Sequence, residues 1–185
     1  MPTKLLVAFG ARSLVAVVLG VLAIAVTGCR DTGRDGALFE IAGKLFVFNY
    51  RVATATYLVN LKQVAPLPDG LVAVASFEDP AGGEPIVVRQ KVWPTLDKTV
   101  MESPPVRCIY KGVPYHVSIK IEGDDGTVRQ TLEVTLTSNA DQSVLPDKPL
   151  VVGPAYTPNP ELDGMPPGKI GVTNRADCPP RPTDG

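Results

Sequence analysis

The stretch YHVSIKIEGDDGTVRQTLEVTL, residues 115–136, decides the fold. Tyr115, Val117, Ile119 and Ile121 alternate with His116, Ser118, Lys120 and Glu122. Beyond Gly123-Asp124-Asp125-Gly126, Val128, Leu132, Val134 and Leu136 alternate with Arg129, Thr131, Glu133 and Thr135. Successive strand side chains point to opposite faces, so each run predicts a strand with one buried and one wet face. The Asp/Gly turn between them predicts a β-hairpin.

Working outward, the same logic predicts further strands. Upstream, Ile86, Val88 and Val92 face one way while Arg89 and Lys91 face the other, and Pro94 stops the run. Thr99 to Met101 reads as a short edge strand. Leu71, Ala73, Ala75 and Phe77 share a face, between the turns at 66–70 and 79–83. Leu45-Phe46-Val47-Phe48 is a continuous apolar run, consistent with a buried strand. Ala55, Tyr57, Val59 and Leu61 alternate with polar neighbours and give a second strand, with a helix through 52–61 as a weaker alternative. Downstream, Leu150-Val151-Val152 reads as a final edge strand. About seven short strands with turns roughly every 8–12 residues predict an all-β fold, an immunoglobulin-like antiparallel β-sandwich, with a small β-barrel as alternative. Phe46, Phe48, Tyr50, Tyr57 and Trp93 are read as core. From residue 157 on, prolines exclude helix and central strand, so 157–185 is read as an irregular Pro/Gly-rich segment.

Composition narrows the function classes. Of 185 residues, 18 are Lys or Arg and 19 are Asp or Glu, and the basic residues are not clustered. This balance lacks the electrostatic footprint of nucleic-acid binding or of a polybasic lipid patch. Nineteen prolines and 17 glycines favour turns and short strands over long helices.

The N-terminus is of another kind. Lys4 and Arg12 precede an apolar run from Leu14 to Val26, and Thr27-Gly28 supplies small residues ahead of Cys29. Val26-Thr27-Gly28-Cys29 resembles the lipobox of bacterial lipoproteins. That resemblance, confined to residues 1–29, implies cleavage before Cys29 and a thioether-linked diacylglycerol on its sulfur. The rival is an uncleaved transmembrane anchor over 5–28, with Arg12 interrupting it. The resemblance implies a cell-envelope protein held to the membrane through Cys29. Arg30, rather than Asp, follows the cysteine, which favours an outer membrane and a domain facing the periplasm. The expected organisation is a signal peptide (1–28), lipidated Cys29 with its tether (29–36), a β-sandwich (37–156) and the Pro/Gly-rich segment. Fully extended, the tether spans at most roughly 26–29 Å, which keeps the domain near the membrane.

With Cys29 lipidated, Cys108 and Cys178 remain, and export to an oxidising compartment favours a disulfide between them. The rivals are free thiols or an intermolecular bridge. No catalytic or metal constellation stands out, and no cofactor is implied. His116 and Ser118 share a strand face, which is not a triad. Asp124-Asp125 reads as a turn former rather than a cation site. Glu102 with Asp97, or Glu40 with Glu84, are conceivable carboxylate pairs that nothing brings together. The expected function is therefore non-catalytic, a binding or structural module with an envelope protein partner. The alternatives are an envelope hydrolase and a surface-exposed ligand-binding module.

Overall fold

The computed structural model describes residues 36–165 and 177–181. The signal-like stretch and Cys29 lie outside the described residues. The described chain is an antiparallel β-sandwich. Its strands are β1 (Phe39–Asn49), β2 (Thr54–Gln63), β3 (Val72–Phe77), β4 (Ile86–Lys91), β5 (Lys98–Glu102), β6 (Pro114–Glu122) and β7 (Val128–Thr137). One sheet has the order β1-β2-β5 and the other β4-β3-β6-β7. This three-plus-four division, with β2 to β3, β4 to β5 and β5 to β6 crossing between sheets, is immunoglobulin-like. Among the described residues, no helix is long and apolar enough to cross a membrane.

The core is what the alternation dictates. Ala55, Tyr57, Val59 and Leu61 of β2 face Ala73, Ala75 and Phe77 of β3 and Tyr115, Val117, Ile119 and Ile121 of β6, all buried. Tyr57 stands at the centre, its ring 4.6 Å from Phe46 and 5.3 Å from Phe77 between centroids. Its buried hydroxyl donates to the Glu78 carbonyl at 2.8 Å, so the ring is buried without an orphaned polar atom. Burial pushes its ionisation above the ordinary tyrosine range, and Glu78 adds to the shift.

Several sequence expectations change. Residues 54–63 are strand, not helix. The apolar run 45–48 lies on β1, at a sheet edge, and of its four residues Phe46 alone is buried, Leu45 facing solvent. Trp93 and Tyr50 are exposed rather than core. Period two says which residues alternate, but not whether a residue just past a strand end still has a sheet above it. Val128 is also exposed, because the β6–β7 register shifts at Ile121/Glu122. Glu122 pairs with Val128 and Ile121 with Gln130, so one extra residue reverses the phase at Val128.

Past this irregularity the expected phase holds, with Gln130 on the inward face beside Leu132. Gln130 is aligned with inward-facing Ile121, and its amide meets the start of β1. Its Oε1 accepts from the N–H groups of Leu38 and Phe39, both at 2.9 Å, and its Nε2 donates to the Phe39 carbonyl at 2.7 Å. An edge strand carries backbone groups without a sheet partner. Here a side chain from the other sheet satisfies them and ties the sheets together.

The stretch at 150–152 does not extend either sheet. Val151–Val152 (β8) pairs with Thr157–Pro158 (β9) in a separate two-stranded ribbon. The ribbon straddles residues 156 and 157 and docks on the β1–β2 turn. The N–H groups of Leu150 and Val151 both donate to the Arg51 carbonyl, and the Arg51 guanidinium lies 5.2 Å from the Tyr156 ring centroid.

Candidate functional site

The two ends of the sandwich differ in chemistry. At one end lies the connection 103–113 between β5 and β6. Tyr115, at the start of β6, turns its hydroxyl back onto this connection: it accepts from the Tyr110 N–H at 2.8 Å and donates to the Cys108 carbonyl at 3.3 Å. This is the arrangement of a tyrosine corner, a hallmark of immunoglobulin-like sandwiches. Gln142 clamps the same connection. Its buried amide accepts from the Ile109 N–H at 3.1 Å and donates to the Val106 carbonyl at 3.0 Å, while its own N–H reaches the Ile109 carbonyl at 2.9 Å.

The clamped connection holds the C-terminal segment. Cys108 and Cys178 form a disulfide, as the cysteine count predicts, with Cα atoms 5.4 Å apart. Tyr110 donates its hydroxyl proton to the Pro179 carbonyl at 2.7 Å. Arg181 donates to the Lys111 carbonyl at 3.1 Å and to Asp141 at 2.9 Å, with its guanidinium 5.3 Å from the Tyr110 ring centroid. Residues 177–181 are thus pinned by one covalent and several polar contacts. Cys108 itself has φ 68°, a left-handed conformation unusual for a side chain with a Cβ.

The other candidates are spread apart. His116 and Ser118 lie on the outward face of β6, but they bond separately to β7. Ser118 donates to Glu133 at 2.7 Å, and His116 Nδ1 and Thr135 Oγ1 are 3.3 Å apart. The His116 backbone N–H, not its ring, meets the Glu78 carboxylate at 2.8 Å. Asp125 closes the β6–β7 turn by accepting from the Thr127 N–H and hydroxyl and from Arg129. Those bonds to Thr127, with Arg129 adding to them, hold its carboxyl below the ordinary range. Asp97 and Glu102 flank opposite ends of β5; Glu102 accepts from Thr56, and Glu40 pairs with Lys62 at 3.1 Å. Among the described residues, no group of three or more His, Cys, Asp or Glu side chains is placed to hold a metal ion.

At the opposite end of the sandwich, residues 63–66 with Pro94, Thr95 and Asp97 line an open groove of about 440 Å³. The Gln63 N–H donates to the Asp97 carbonyl at 2.9 Å and joins its two walls. Around it, Val64, Trp93 and Leu96 are 44%, 52% and 51% exposed. Sequence reasoning missed this apolar rim because it read Trp93 as core. It also missed Gln142, which follows no periodic pattern. Alternation places Tyr115 inward, while its hydroxyl's task depends on a connection that has no regular structure.

No family model matches the sequence. No curated protein sequence is similar to it. Among solved structures, the chain is similar to an endonuclease/exonuclease/phosphatase from Beutenbergia cavernae DSM 12333, at 15% identity over 52% of this chain and 27% of that chain, with a TM-score of 0.28. The match takes in less than a third of that protein's length, and a likeness at this level carries no argument about activity.

Proposed function

We propose that this protein is a lipid-anchored module of the bacterial cell envelope, acting by binding or bracing a partner rather than by catalysis. The observation that carries this is the cysteine arithmetic. Three cysteines are present, and Cys108 and Cys178 are bonded to each other. Cys29, the third, is the residue that the lipobox-like stretch reserves for acylation. A disulfide also suits an exported protein, since such bonds persist in oxidising compartments. Two or three acyl chains make release from a bilayer slow, because each buried CH₂ contributes about 0.8 kcal/mol.

The direct test is Cys29→Ser, followed by cell fractionation and labelling with a fatty-acid analogue. Labelling is expected to vanish, with the protein either released or retained as a longer precursor. Labelling equal to the parent chain would overturn the anchor.

A further inference from the structure

We infer that the end of the sandwich bearing Val64, Trp93 and Leu96 docks onto the lipid surface itself. This rests on the lipid-anchored reading and adds to it an orientation. The chain enters the sandwich at this end. Leu38 precedes β1, and its carbonyl accepts from the Val64 N–H at 3.0 Å, so the polypeptide enters the domain beside the groove. Eight residues, 30–37, lie between Cys29 and Leu38. The end carrying the apolar rim is therefore the end at which the chain from Cys29 enters the sandwich.

Tryptophan and lysine are the side chains that settle at a membrane–water interface, the ring at headgroup level and the ammonium reaching outward. Lys91 Nζ lies 4.3 Å from the Trp93 ring centroid. Trp93 and Leu96 stand in one turn, closed by a 3.0 Å bond from the Leu96 N–H to the Trp93 carbonyl. Lys62 and Lys98 are cross-strand partners at the same end. Asp69, Asp97, Asp124 and Asp125 lie in the loops of this end as well, and Glu40 pairs with Lys62, so this end has no excess of positive charge. A net-neutral, zwitterionic surface met by apolar insertion fits better than an anionic one met by charge. The stapled corner at Cys108–Cys178 then points away from the bilayer, where an envelope partner can reach it.

Trp93 is the sole tryptophan, so its fluorescence reports this end alone. The experiment uses the full chain, purified from membranes and reconstituted into phosphatidylcholine–phosphatidylethanolamine vesicles, with the mass of the Cys29 adduct recorded. In vesicles whose lipids are brominated high on the acyl chain, emission should fall by at least about twofold relative to unbrominated vesicles, since the indole sits at the interface. Leu96→Asp should recover much of that emission without moving the protein out of the membrane fraction. Equal emission in both vesicles from a chain with acylated Cys29 would overturn the docking and leave the anchor standing. A chain without acyl groups on Cys29 would overturn the anchor, and the docking with it.

Discussion

Replacing Cys108 and Cys178 together by alanine is expected to lower stability by about 4 kcal/mol, the chain-entropy value for a bridge of this span. The bonded residues are 70 apart in sequence. For a domain of this size that corresponds to a fall of roughly 10–15 °C in melting temperature, measured by calorimetry on the oxidised protein. The loss has a local part as well. Among the described residues, 177–181 would keep the bonds from Tyr110 and Arg181, of which Arg181–Asp141 is a surface pair. Limited proteolysis should therefore cut the C-terminal segment of the variant well before the sandwich. The backbone at Cys108 supplies an internal control. With φ at 68°, alanine retains the steric cost of a left-handed residue and glycine does not. Cys108→Gly paired with Cys178→Ala should be more stable than the double alanine variant by about 1 kcal/mol. The reverse order would show that the left-handed conformation is absent once the bridge is gone.

Gln142→Leu is the second large effect. Leucine fills nearly the same volume but offers no polar atom. The Ile109 N–H and the Val106 carbonyl would then lose their side-chain partner in a buried setting. An orphaned buried group costs about 1–3 kcal/mol, so the pair predicts a loss of about 2–5 kcal/mol by chemical denaturation. Gln142→Glu separates polarity from volume. Its carboxyl can donate to the Val106 carbonyl only when protonated, so this variant should gain stability as pH falls, where the parent chain shows no such gain from this site. A Gln142→Leu chain as stable as the parent would mean that the 103–113 connection is not held by this amide.

Both predictions concern the corner that sequence reasoning resolved least. The sandwich was legible because its signals are local: alternation in 115–121 and 131–136, the Gly123–Gly126 turn, and the shared apolar face of Leu71, Ala73, Ala75 and Phe77. Strand phase was lost where one residue is inserted. Nothing in Val128-Arg129-Gln130 announces the shift in register that turns Val128 outward, and the alternation that places Gln130 inward does not announce that its amide satisfies β1. The exposure of Trp93 was illegible for a related reason. It follows β4 by two residues, beyond the last ladder pair, where alternation no longer implies a covering sheet. The ribbon at 151–158 depends on Tyr156 and Gly153 both taking positive φ, which no apolar pattern encodes. The disulfide was legible by elimination alone, and only because Cys29 had first been set aside.

These features support a consistent division of labour. The end where the chain enters carries the apolar rim, and the far end carries the staple. Between them lies a polar sheet face on which Arg89–Glu122 and Ser118–Glu133 pair across strands. Cross-strand pairs of this kind stabilise a solvated sheet, and here they leave His116 and Ser118 without a shared partner.

The most direct measurement is the intact mass of the mature chain extracted from membranes, with fragmentation of its N-terminal peptide. The account predicts a chain beginning at Cys29 that carries a diacylglyceryl group on the sulfur, with Cys108 and Cys178 linked. An unmodified Cys29 within a chain that still begins at Met1 would contradict it.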